Sequence, residues 1–387
     1  MIKSRSFLMV ISLFMVVFIL SSITVAQDEV IYKKIRNRDR LSMDFTKIKK
    51  PASIEEFKSV FHLEPIGQYF TSTCWCFSTT SLLESELYRL KGKKIRLSVM
   101  HTVYWEFVEK CRYFVQNKGK DNITAGSEQD AVTRMIKKYG MVPMADYTGL
   151  LSGQDKHNHG RLFRELRTFL SFIKENKYWD EDYVIMNAKY ILDKYLGKPP
   201  DKINYEGVEM TPAEFRDKVF GLNLDDYVVF MSFKYLPFYT RGEYTVPDNW
   251  WHSENYYNVP LDDFCKIINE GIKDGFSASI GGDVSEPGLN TTELVGVIPS
   301  FDVQGKNINQ DSREFRFNNR TSTDDHAIHL VGYKKIGKNY WYLIKDSGGG
   351  SYFGYPMYRD DYVKLKILTY MIHKDAAKDV LKKFVEE

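Results

Sequence analysis

Cysteine is scarce: Cys74, Cys76, Cys111 and Cys265 are the four in 387 residues, too few and too scattered for a disulfide framework or a four-thiolate zinc site. Cys74 and Cys76 stand two apart at the start of a helical pattern, so their side chains diverge and no bond between them is expected. Core packing is the expectation for Cys111 and Cys265, with a bridge between those two left open if the chain is exported. Net charge is equally scarce. The formal charge is +3, falling to +1 without Lys3 and Arg5, and that is no footprint for nucleic acid or an anionic membrane. No internal repeat or low-complexity tract stands out, and with 43% hydrophobic and 15% aromatic residues a disordered chain is excluded in favour of a globular one.

Long apolar runs are also missing, save one. Residues 7–20 follow Lys3 and Arg5 and lead to the small residues of Ser21-Ser22-Ile23-Thr24-Val25-Ala26, the pattern of a secretory signal cut after Ala26. The run is short for a full membrane span, and no cysteine follows it to take a lipid. The expectation is a soluble exported protein, periplasmic or extracellular, that leaves the membrane after cleavage.

Residues 27–60 are polar and without strong period, read as an N-terminal arm or short pro-segment. Helical spacing then predicts helices over residues 74–90, with Leu83, Leu87 and Leu90 on one face, and over 100–114. A capping box at Ser127-Glu128-Gln129-Asp130 predicts a third, closed by Gly140. Further helices are predicted over 162–173, 183–196, from Thr211-Pro212, and over 264–272. After Gly275 the texture becomes strand-like, over 277–280, 293–298, 326–333, 340–345 and 362–372, with 300–325 a long polar loop. Helices first and strands second predict an α+β fold of two lobes.

Cys74 stands where a polar loop turns into an apolar-faced helix, at the positive end of the helix dipole, which favours thiolate over thiol. His326 opens a strand after the polar loop, and Asp346 closes the next strand, one hairpin away. A nucleophile, a base and an orienting acid are what covalent acyl transfer requires. His329 lies on the opposite strand face from His326, and His157-Asn158-His159 reads as a polar loop, so no metal site and no cofactor are expected.

Four stretches in order carry a family resemblance. Gln68 stands six before the nucleophile, Cys74-Trp75 matches a Cys-Trp pair, Asp325-His326-Ala327 resembles Asn-His-Ala, and Tyr342-Leu343-Ile344-Lys345-Asp346-Ser347 resembles Ile-Leu-Ile-Lys-Asn-Ser. The chain resembles the papain-like cysteine peptidases. The spacing from Cys74 to His326 far exceeds the roughly 130–150 positions of compact members. The added length is mainly helical. Together with residues 97–114, 126–143, 195–215, 274–284 and Tyr358-Arg359-Asp360-Asp361-Tyr362, it resembles the bleomycin hydrolase and aminopeptidase C branch.

The resemblance implies a papain-like two-lobed fold with helical insertions. A helical lobe (about 61–150) would carry the Cys, an insertion would follow (about 151–260), and a β-barrel-like lobe (about 261–387) would carry the His. It also implies a catalytic set of Cys74, His326, Asp346 and Gln68, the last as oxyanion donor, with Gly126, Ser127 and Asp325 on the substrate. The implied function is hydrolysis of peptide or protein substrates through an acyl-enzyme. A transglutaminase-like acyl transferase and an inactive peptide-binding relative are the alternatives.

Four departures from the branch matter. Asp346 replaces Asn, which predicts a raised histidine pKa. Gly348 replaces a shielding Trp, which predicts a wetter, weaker contact. Gly126-Ser127-Glu128 replaces a Gly-Gly stretch of the cleft. The sequence ends about where the branch's C-terminal arm would begin, which leaves aminopeptidase against endopeptidase action open, and a homo-oligomer open with it.

Overall fold

The computed structural model describes residues 30–35, 38–120, 123–285, 287–348 and 353–384; the apolar run and its cleavage site lie outside the described residues. Helices α1 (Cys74–Lys91), α2 (Val99–Gln116), α3 (Gln129–Tyr139), α4 (Gly160–Glu175) and α5 (Glu181–Leu196) follow the apolar periodicities. Gly92 ends α1 in the left-handed conformation at φ 67°, which glycine adopts without a Cβ penalty. Leu83 and Leu87 are buried as expected, whereas Leu90, one turn further and past the edge of the core, is 48% exposed. The capping box at Ser127 does not form. Glu128 is the N-cap of α3 and its side chain caps nothing, because the Ser127 hydroxyl donates instead to the fully buried Glu106 Oε1 (2.6 Å). A buried carboxylate without donors costs more than an open helix end.

The later helices are α6 (Leu261–Lys273), α7 (Gln310–Asn318) and α8 (Asp360–Lys366). Two of these correct the sequence reading. The stretch 300–325 is no plain loop, since Asn309 and Ser312 cap each other reciprocally to start α7. Residues 360–366 are helical where a strand was expected, with Asp360 and Asp361 in the first turn and Lys364 and Lys366 in the last complementing the dipole. Only from Ile367 does the chain extend.

Strands β1 (Val30–Ile35) and β2 (Arg38–Met43) form a separate antiparallel hairpin, and Ile203–Tyr205 pairs with Val208–Met210 in another. One large sheet takes β3 (Lys58–Ser59), β4 (Tyr227–Met231), β5 (Thr240–Gly242), β6 (Tyr256–Asn258), β7 (Ala278–Gly282), β8 (Leu289–Asn290), β9 (Val295–Gly296), β10 (His326–Ile336), β11 (Asn339–Lys345), β12 (Met357–Arg359) and β13 (Ile367–His373). Its order is β8-β9-β12-β11-β10-β7-β13-β4-β6-β5, with β3 beside β10. Pairing is antiparallel except β9 with β12 and β4 with β6. The fold is mixed α/β around this mostly antiparallel sheet. Strands β4 to β6 lie in the stretch read as helical; Tyr227-Val228-Val229-Phe230-Met231 is β-branched and aromatic, and its partner β13 is remote in sequence. The end of the stretch read as an arm or pro-segment packs on the sheet, with Phe45, Ile48 and Phe57 buried against Val331, Trp341 and Leu343.

Helix α1 meets the sheet through polar side chains. Ser78 and Thr79 reach Ser279 of β7, the latter at 3.1 Å, and Ser81 bonds His329 of β10 at 2.8 Å. Lys345 donates to Ser81 Oγ (2.7 Å), so the Ser81 hydroxyl proton goes to His329 Nδ1. Burial first and Lys345 second hold that imidazole neutral, with its pKa well below the usual value. Among the described residues no helix is long and apolar enough to cross a membrane.

Arg313 of α7 is fully buried, and its guanidinium donates to the carbonyls of Ser232 (3.2 Å), Lys364 (3.3 Å) and Leu368 (2.9 Å). Arg313→Ala leaves these acceptors bare and opens a cavity, so urea denaturation should show a loss of about 3 kcal/mol. A midpoint equal to that of the parent protein would contradict this role for α7.

Candidate active site

The loop before α1 is held in an unusual shape. Tyr69 and Ser72 take left-handed φ values of 51° and 52°, sparsely populated for residues with a Cβ. Neighbouring bonds impose that shape. The Gln68 amide donates to Ser347 O (2.8 Å), the Phe70 amide to His157 O (3.2 Å), and the His159 amide to Phe70 O (3.0 Å). The Trp75 indole donates to Ala125 O (3.1 Å) and locks the first turn of α1 onto the facing segment.

Cys74 is the first residue of α1 and is partly exposed, and the side chain of its N-cap, Thr73, caps no amide. Cys76 is fully buried, with its sulfur 3.4 Å from Val99 O, and burial pushes its thiol far above the ordinary range. Cys111 is buried and Cys265 half-buried; all four cysteines are free.

His326 begins β10 with its side chain 10% exposed, and its Nε2 lies 2.8 Å from Asp346 Oδ1. Nδ1 is thereby left for the cleft, which Cys74 also lines, and the sulfur lies near enough to help raise the imidazole pKa. Burial alone would drive this imidazole towards neutrality. The Asp346 carboxylate and then the thiol outweigh it, and the pKa lies well above the usual histidine value. Asp346 itself is fully buried, and the Gly348 amide also donates to its Oδ1 (2.7 Å). The carboxylate expected to be wet at Gly348 is instead fully buried.

Gln68 is 8% exposed, and its Oε1 accepts from the Ser347 hydroxyl (2.9 Å), which leaves both Nε2 hydrogens for the cleft. Gln68, Cys74, His326, Gly126, Ser127 and Asp325 line one cleft of about 500 Å³, while Asp346 stands behind the histidine. Asp325 is exposed and accepts from Thr323 Oγ1 (2.8 Å). Ser127 is turned to Glu106 rather than free.

Sequence reasoning did not single out Glu128, Gln129, Asp248 or Asp324 as site residues, and all four line the same cleft. Glu128 and Asp324 adjoin residues that were singled out, so a signal existed for them. Asp248 had none. Its carboxylate lies across Gly126, where a Cβ would come within 2.0 Å of Oδ2 and push the Asp248 side chain aside. Among the described residues no group of three or more His, Cys, Asp and Glu is placed to hold a metal ion.

The Peptidase C1-like family model matches residues 120–387, a span that includes His326 and Asp346. Aminopeptidase C of Listeria monocytogenes is 24% identical over 270 residues, 59% of this chain, and the match spans only 60% of that relative's length. Bleomycin hydrolase of Homo sapiens is 23% identical over 322 residues, 68% of this chain and 70% of the relative. The crystal structure of PepW from Lactobacillus rhamnosis HN001 superposes with a TM-score of 0.67 at 19% identity over 84% of each chain, a likeness of fold. With a family model matching most of the chain and relatives of both names, this protein belongs to the Peptidase C1-like family, in its bleomycin hydrolase and aminopeptidase C branch.

Proposed function

We propose that this protein is an exported cysteine peptidase that hydrolyses peptide bonds through an acyl-enzyme on Cys74. The observation that carries the reading is the position of His326, with Nε2 on Asp346 at 2.8 Å and its other nitrogen left for the cleft that Cys74 lines. Attack requires the thiolate, with the proton of Cys74 passed to the His326 imidazole. The thiolate attacks the substrate carbonyl carbon, and the developing oxyanion takes hydrogen bonds from Gln68 Nε2 and the Cys74 backbone N–H. His326 Nδ1 then passes its proton to the leaving amine. Water, deprotonated by the same nitrogen, releases the acyl group and restores the pair.

Two buried clusters, one beneath α1 to α5 and one around α6 and the strands from β7 onward, support a two-lobed papain-like reading with Cys74 and His326 facing each other. Lys3, Arg5 and the apolar residues 7–20 support export. The name aminopeptidase C, shared by several relatives, supports cleavage near free N-termini. Cleavage profiling by sequencing of new N-termini tests all of this at once, with the mature protein set beside Cys74→Ala. New termini made only by the parent protein are expected. Equal profiles would refute hydrolysis, and cross-links with released ammonia would indicate acyl transfer instead.

Asp346 is the main reason that His326 keeps its proton to unusually high pH. Asp346→Asn removes that charge and lowers the histidine pKa, so the imidazolium is lost earlier as pH rises. The basic limb of the kcat/KM profile should move to lower pH; an unmoved limb would show that Asp346 does not set it. Gln68→Ala should cut kcat by about 10²–10³ while the fold is kept. Alkylation of Cys74 by iodoacetamide at neutral pH should persist in that variant and vanish in His326→Ala, and equal labelling in both would refute the ion pair.

A further inference from the structure

One wall of the cleft carries polar atoms that hydrolysis does not use. Glu128 is 3% exposed, and its Oε1 has no hydrogen-bond partner among the described residues. Gln129, 1% exposed, donates its amide to Thr369 Oγ1 (3.2 Å) and leaves its Oε1 equally unpartnered. Both line the cleft, together with the carboxyls of Asp324 and Asp248. The two open atoms, Glu128 Oε1 and Gln129 Oε1, are acceptors, with the proton of the Glu128 carboxyl spent on Asp324. A buried acceptor facing a cleft without a donor carries a desolvation cost, which a ligand bearing N–H groups removes and an anion or carbonyl does not.

The nearby cations are engaged elsewhere. Lys110 donates to the carbonyls of Thr124 (3.0 Å) and Gly126, Arg134 to Glu106 (2.8 Å), and Arg167 to Ile123 O (3.3 Å). Burial first raises both Glu128 and Asp324, the latter to about 7; Asp324 lifts Glu128 further by charge and by a hydrogen bond, and Asp248 and Asp325 lift Asp324, so a cation arriving beside this pair displaces the proton they share. No metal-type ligand set exists here among the described residues, which favours an organic cation.

We propose that the wall formed by Glu128, Gln129, Asp324 and Asp248 binds a cationic nitrogen group of the substrate, an ammonium or guanidinium close to the scissile bond, and so selects peptides that carry one. This rests on reading the cleft as a peptidase site. The cation has two sources in a peptide: the α-amino group of a first residue, or a lysine or arginine side chain.

Three peptides separate these sources: acetyl-Leu-Ala-Ala-amide, Leu-Ala-Ala-amide with a free α-amine, and acetyl-Arg-Ala-Ala-amide. Binding to the Cys74→Ala protein is measured by calorimetry, which requires no turnover. At least one cationic peptide should bind about tenfold more tightly than the neutral one, roughly 1.4 kcal/mol, and which one does so identifies the source. Adding Glu128→Gln or, as a second variant, Asp324→Asn should shrink that advantage, with thermal melting as the control for folding. Equal binding of all three peptides, or an advantage that survives in a folded Glu128→Gln protein, would overturn the proposal. Hydrolysis of the same peptides by the parent protein is followed in parallel. If none is cleaved while the binding preference holds, the peptidase reading fails and the cation site stands.

Discussion

Helix α1 is fastened to the sheet by hydroxyl groups and a neutral histidine, and the geometry of the cleft depends on that seam. Ser78, Thr79 and Ser81 lie on the buried side of the helix and find Ser279, His329 and Lys345 on β7, β10 and β11. Apolar contacts alone would allow the helix to slide, because hydrophobic burial has no direction. Directional bonds inside a dry interface allow one register, since each lost partner leaves a buried polar group unsatisfied. The first residue of α1 and the first residue of β10 are thereby set opposite each other. Those residues are Cys74 and His326.

Around the pair, burial and charge oppose one another. Burial disfavours an imidazolium, and the carboxylate of Asp346, itself fully enclosed, more than offsets that cost. An asparagine would orient the ring without the charge. The same corner ties the nucleophile loop to the histidine's support, because Ser347, next to Asp346, holds both the backbone and the side chain of Gln68. Gln68 and Asp346 thus share one piece of backbone, and the left-handed turns at Tyr69 and Ser72 are the local strain that this arrangement carries.

The far wall of the cleft is chemically distinct from the reacting end. At the Cys74 end donors face inward, from Gln68 and the start of α1; at the wall of Glu128 and Gln129 acceptors do. A peptide lying across both would be oriented by that polarity, with its carbonyl at one end and a positive group at the other. That wall is built from the residues that replace the branch's Gly-Gly stretch together with those just before His326.

What the sequence by itself determined was the candidate set of site groups and the helices, because both are written locally. Cys74 at a loop-to-helix junction, Gln68 six residues before it and His326 at a strand start can be found by spacing, and the helices of the first half by periodicity. Tertiary structure alone decided the matters that depend on distant partners. Ser127 serves Glu106 instead of capping its helix, residues 360–366 coil before the last strand, and residues 227–231 join a sheet whose neighbouring strand lies near the other end of the chain. It also decided that Asp248, with no motif around it, lies across Gly126 beside Glu128. Local pattern reports what a segment can form, whereas burial and pairing between remote segments choose which polar atoms are satisfied and which stay open to a ligand.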